Sequence, residues 1–130
     1  MRTPNRNSPF KSNGGVARIG NALSYSMSGL KAAFLNEAAF RQELLLFAIL
    51  LPLSFVVGQT FYQRLLLILV MCLVLVVELI NSAIEAVADS ISLEWNAGLG
   101  LAKDLGSAAV MLSILCAAGV WLALIYERIL

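Results

Sequence analysis

The stretch that decides the fold is "VELINSAIEAVADS", Val77–Ser90. It continues an uncharged run that starts at Leu65, then brings in Glu78, Asn81, Ser82, Glu85 and Asp89 with apolar residues in every gap. At about 100° per residue, Glu85 and Asp89 fall about 20° to either side of Glu78, with Ser82 about 40° and Asn81 about 60° away on opposite flanks. All five therefore share one stripe, about 100° wide, of an otherwise oily helix. A lone ionised carboxylate below the lipid headgroups costs on the order of 2.5–3.5 kcal/mol by insertion scales. Three acids on one such face resist full ionisation unless a cation, from Arg18, Arg41 and Lys103 of the chain or from a divalent metal, neutralises them.

The rest of the chain is equally apolar. Of its 130 residues, 60% are hydrophobic and 13% charged, with a mean hydropathy of +0.86. That is well beyond an ordinary soluble domain and predicts one compact membrane unit. A net charge of +1, with no basic face, argues against nucleic acid as a partner. Histidine is absent, which removes the commonest general acid/base and metal ligand. Cys72 and Cys116 lie inside apolar runs at a spacing that fits no zinc pattern, and read as small hydrophobes.

Along the chain, residues 1–15, "MRTPNRNSPFKSNGG", are basic and rich in Pro, Gly and Asn, as in a disordered tail. No secretory signal follows them. Val16, Ile19, Leu23, Met27, Leu30 and Phe34 then fall on one helical face, with Arg18, Asn21, Tyr25, Ser28 and Lys31 on the rest. This predicts an amphipathic helix over 16–35 lying on the membrane surface. Leu44–Val57 is uncharged but only ~21 Å long as helix, so the first span reaches back through "NEAAFRQE" to cover about 38–58, kinked at Pro52. "GQTFYQR" reads as a turn with interfacial aromatics Phe61 and Tyr62. The second span covers about 64–89, "SISLEWNAGLGLAKD" is a polar glycine-containing loop, and a third span covers about 103–127. Arg2, Arg6, Lys11, Arg18, Lys31 and Arg41 precede the first uncharged run, and Lys103 sits in the second loop. The positive-inside rule puts these segments, with the N-terminus, in the cytoplasm and the C-terminus across the membrane.

Three segments then carry polar groups to one level of the inner leaflet: Asn36 and Glu37, the Glu78–Asp89 stripe, and Lys103 with Asp104 and Ser107. A structural polar network is one explanation, but such networks favour Ser, Thr, Asn and Gln over carboxylates. Carboxylates beside a single lysine suit Mg²⁺-dependent phosphoryl transfer. No GxxxxGK[ST] occurs, and "GLGLAKD" is read as a flexible loop ending in a helix cap. A small proton-coupled transporter built on Glu78 is the rival from another class, although transporters place such an acid at the bilayer midplane.

"NEAAFRQE", "VELINSAIEAVAD" and "AKDLGSAAV" resemble the small integral-membrane diacylglycerol kinases of Gram-negative bacteria. The similarity runs nearly ungapped from about Arg18 to Val110. It implies an all-α membrane protein, with three transmembrane helices plus an N-terminal amphipathic surface helix, assembled as a homotrimer with sites shared between subunits. It also implies a multi-pass protein of the bacterial inner membrane, with its C-terminus periplasmic, that transfers the ATP γ-phosphoryl group to diacylglycerol. The undecaprenol kinases of the same scaffold are the nearest alternative, and "NEAAFRQE" favours the diacylglycerol branch.

By motif position, the resemblance implies Glu78 as general base with Asn81 beside it. Glu37 and Glu85 correspond to the Mg²⁺-binding carboxylates. Arg18, Tyr25, Glu37, Glu85, Glu94, Trp95, Asn96, Lys103 and Asp104 correspond to nucleotide ligands, while Arg18, Lys31, Phe34, Arg41, Glu43, Glu78 and Ser107 would meet the lipid. Leu101 stands where the family commonly has arginine, and Trp95-Asn96 where it has a Tyr-His pair, so fewer cations line the nucleotide side.

Overall fold

The turn-forming residues divide the chain into four helices. A computed structural model describes residues 14–130: α1 (Gly15–Asn36), α2 (Ala38–Val57), α3 (Phe61–Ile91) and α4 (Ala97–Ile129). Residues 1–13 of the expected disordered tail lie outside the described residues. Glu37 alone separates α1 from α2; its extended backbone (φ −105°, ψ 110°) closes one helix and opens the next. Pro52 lies inside α2, which continues to Val57, as membrane helices allow.

At the next corner, Gly58 lets the start of α3 fold close. A Cβ there would stand 2.7 Å from the Arg64 Cγ. Arg64 Nε donates to the Gly58 carbonyl at 2.9 Å. Thr60 and Gln63 form a reciprocal capping box that starts α3 at Phe61, so Phe61 and Tyr62 are helical rather than part of the turn. The fourth helix also begins earlier than the sequence reading has it, at Ala97 instead of Lys103. The Asn96 Oδ1 accepts from Gly98 N at 2.9 Å and Leu99 N at 3.1 Å. That cap satisfies two of the first free amides, so "GLGLAKD" is helical despite its glycines.

Helices α2, α3 and α4 are each long and apolar enough to cross a membrane. With 20 residues, α2 is about 30 Å long and matches the hydrocarbon core. With 31 and 33 residues, α3 and α4 exceed that core by about 15–20 Å. Their polar ends have length to spare beyond the lipid. The two run antiparallel: Gln63 at the start of α3 meets Glu127 at the end of α4, and Asp89 meets Lys103 at the other end.

The buried core is small, comprising Leu67, Met71 and Val74 of α3 with Ala117 and Trp121 of α4. Buried Ser54 and Ser113 satisfy their hydroxyls on carbonyls of their own helices, Leu51 at 2.6 Å and Val110 at 2.7 Å, as hydroxyls in apolar helices do. Much apolar surface stays outside this packing. Val16, Ile19, Leu23, Met27, Leu30 and Phe34 of α1 are all exposed.

Candidate active site

The inward face of α3 runs Leu67, Met71, Val74, Glu78, Asn81 and Ala88, alternating steps of four and three as in a packed helix seam. Half-buried Glu85 takes the intervening position. The seam thus turns from apolar to acidic without leaving the packed face. Glu78 is 4% exposed and Asn81 8%. The Asn81 Nδ2 donates to Glu85 Oε1 at 3.0 Å, holding that carboxylate along the helix. Opposite them, α4 places a buried glycine. A Cβ at Gly106 would collide with the Asn81 Oδ1, so only a glycine lets α4 close over the amide. The Asn81 Oδ1 and Ser82 Oγ are buried without hydrogen-bond partners.

Further carboxylates come from the preceding segments. Glu37, at the α1–α2 corner, and Glu85 lie close enough to Glu78 for their charges to act on it. Glu43 of α2 feels Glu78 in turn, and its Oε2 is buried without a partner. Glu78 is thus the acid that Glu37, Glu43 and Glu85 share as an electrostatic neighbour. Among the described residues, no three His, Cys, Asp or Glu side chains stand at metal-holding spacing. Mg²⁺ ordinarily takes only one or two protein carboxylates and completes its shell with phosphate oxygens and water. Glu37 and Glu85 are hard oxygen donors on separate elements, both near Glu78, and their chemistry fits an ion of that kind.

A cleft of about 600 Å³ opens between α1 and α3, lined by Leu30, Ala33, Asn36, Glu37, Leu79 and Ser82 among others. It joins apolar walls to the acidic corner. A narrower slot of about 320 Å³ runs from Glu43 past Leu46, Met71 and Ala117 to Trp121.

The remaining sequence-derived candidates are more dispersed. Lys103 pairs with Asp89 at 2.5 Å and also feels Glu85, while Asp104 and Ser107 are exposed on α4. On the α3–α4 loop Glu94 is exposed and Trp95 is 88% exposed. Asn96 has its Oδ1 engaged in the helix cap and keeps only its Nδ2 for other partners. Arg41 turns to the end of α1, donating from Nη1 to the Phe34 carbonyl at 2.9 Å and the Leu35 carbonyl at 3.1 Å. Arg18, Tyr25, Lys31 and Phe34 are exposed on α1. Sequence reasoning gave no site role to Gly106, Ser82 or Asp89. Ser82 and Asp89 stand on the polar stripe, while Gly106 is one of several small residues along α4 and nothing in its spacing singles it out.

The sequence profile for prokaryotic diacylglycerol kinase matches residues 24–125. A protein of Pseudomonas aeruginosa named diacylglycerol kinase is 46% identical over 114 residues, covering 88% of this chain and 93% of its own. A Haemophilus influenzae protein of the same name is 44% identical over 107 residues, 82% and 91% of the two chains. One from Escherichia coli K12 is 44% identical over 114 residues, again 88% and 93%. The acidic seam, the three apolar helices and the extent of this similarity lead to one conclusion: the chain belongs to the prokaryotic diacylglycerol kinase family.

Proposed function

We propose that this protein phosphorylates diacylglycerol to phosphatidic acid with ATP and Mg²⁺ at the cytoplasmic face of the bacterial inner membrane. The observation that supports this most is the convergence of Glu37, Glu78 and Glu85 on a seam that continues a lipid-spanning helix. Diacylglycerol cannot leave the bilayer and ATP cannot enter it, so the reaction belongs where apolar and polar seams join. Glu78, the most deeply seated acid, is the general base: it takes the proton of the lipid hydroxyl. The freed oxygen then bonds to the γ-phosphorus as the bond to the β–γ bridging oxygen breaks, releasing ADP. Asn81 orients Glu85 through its amide. A bound Mg²⁺ would supply charge neutralisation at the phosphate oxygens, with Glu37 and Glu85 as its protein ligands.

Lys103 neutralises phosphate. Asp104, Arg18, Tyr25 and the loop residues Glu94, Trp95 and Asn96 hold the rest of the nucleotide. On the lipid side act Ser107, Glu43, Lys31, Phe34 and the Arg41 nitrogens left over from the α1 carbonyls. Residues 16–130 work as one unit, with α1 lying on the membrane as an amphipathic helix whose apolar face meets lipid. Six of the chain's nine Lys and Arg residues precede Leu44, which puts the N-terminus in the cytoplasm and the C-terminus in the periplasm.

A homotrimer with sites shared between subunits completes the enclosure. Leu66, Leu69, Leu73, Val76 and Ile80 of α3 are exposed at steps of three and four, a second apolar seam suited to other copies of the helix. Radiolabelled ATP, Mg²⁺ and mixed micelles holding either diacylglycerol or undecaprenol test the reading. Label is expected in phosphatidic acid. Label in the polyprenol alone would move the substrate, and label in neither lipid would refute the kinase.

A further inference from the structure

Asp89 is the one acid of the polar stripe that the reaction above leaves without a task. Its Oδ1 accepts from the Lys103 Nζ at 2.5 Å, joining the last turns of α3 to the first turns of α4 across residues 92–96. Both side chains are about half exposed, so the pair adds little to stability. Glu85, one turn before Asp89 on α3, also acts on Lys103. The ammonium therefore lies along the acidic stripe of α3. An ammonium has three protons: one meets Asp89, and two stay available for phosphate oxygens. A free lysine of four flexible carbons would have to be immobilised each time nucleotide arrives.

We propose that Asp89 is a positioning residue for nucleotide: it holds Lys103 beside Glu85, already extended toward the place where the triphosphate and its metal ion meet. This rests on the proposed kinase reading and deepens it, since Asp89 touches no substrate and works only through Lys103. The test is steady-state phosphorylation by the intact protein in diacylglycerol micelles, with MgATP varied. Asp89→Asn should raise KM for MgATP about five- to twentyfold with kcat within twofold, and Asp89→Glu should restore part of the loss. In a Lys103→Met background Asp89→Asn should change nothing further, because its only route of action is gone. An unchanged KM overturns the proposal, as does a lowered one, which would make Asp89 a competitor of the phosphates. An equal fall in activity and thermal midpoint, with no rescue by glutamate, also overturns it by reducing the pair to a structural contact. The underlying reading fails separately: Lys103→Met alone would then bind MgATP like the wild type.

Discussion

The two halves of the α3 seam share a geometry and differ in chemistry. From Leu67 to Val74 the seam meets Ala117 and Trp121 in a dry apolar core, and Leu67 is fully buried. From Glu78 to Glu85 the same steps of four and three carry two acids and an amide against a glycine of α4. In the first half apolar contacts dominate, and the Trp121 Nε1 is buried without a partner. In the second, the Asn81 Oδ1 and Ser82 Oγ are left buried without partners, a costly state unless a ligand completes it. The lesson is that one helix seam can be closed by apolar packing at one end and leave the Asn81 and Ser82 oxygens open to a ligand at the other.

That contrast predicts opposite phenotypes from the two halves. The largest effect is expected at Glu78. Glu78→Gln should lower kcat by about 10²- to 10⁴-fold and leave KM for ATP and the thermal midpoint nearly unchanged, measured by label transfer and a melting curve. Leu67→Ala should do the reverse. A cavity in the dry half should cost on the order of 2–5 kcal/mol of stability, read from a denaturation midpoint in micelles, with turnover of the folded protein retained. Gly106→Ala crosses the boundary, because its methyl meets the Asn81 amide; kcat should fall about tenfold, roughly the 1.4 kcal/mol that a strained buried contact supplies. At the far end, Gln63→Ala removes an exposed contact of 3.4–3.5 Å to Glu127 and should shift stability by less than about 0.5 kcal/mol. If Leu67→Ala and Glu78→Gln gave the same phenotype, the division between the halves would collapse.

Much of this was legible in the sequence because it follows from period and charge. The polar stripe of α3 and the three apolar helices need only about 100° per residue and a run of uncharged residues. The cap at Asn96 was harder to see: glycines at 98 and 100 signal a loop, yet the side-chain oxygen of Asn96 answers two amides and carries α4 back to Ala97. Thr60 and Gln63 did spell a capping box, masked by the turn-like "GQT" before them. Partner choice was beyond one-dimensional reading. Nothing in the spacing says that Arg41 reaches back to the Phe34 carbonyl, that Lys103 finds Asp89, or that Gly106 sits opposite Asn81.

The central claim is that Glu37, from the corner between α1 and α2, and Glu85, from α3, serve one ion together. Its most direct test is a Mg²⁺ titration of the phosphorylation rate at saturating ATP and lipid for Glu37→Gln, Glu85→Gln and the double variant. Each single change should raise the half-saturating Mg²⁺ concentration at least about tenfold. The double variant should fall short of the product of the two, as residues sharing one ligand do. Unchanged Mg²⁺ dependence in either folded single variant, or effects that simply multiply, would contradict it.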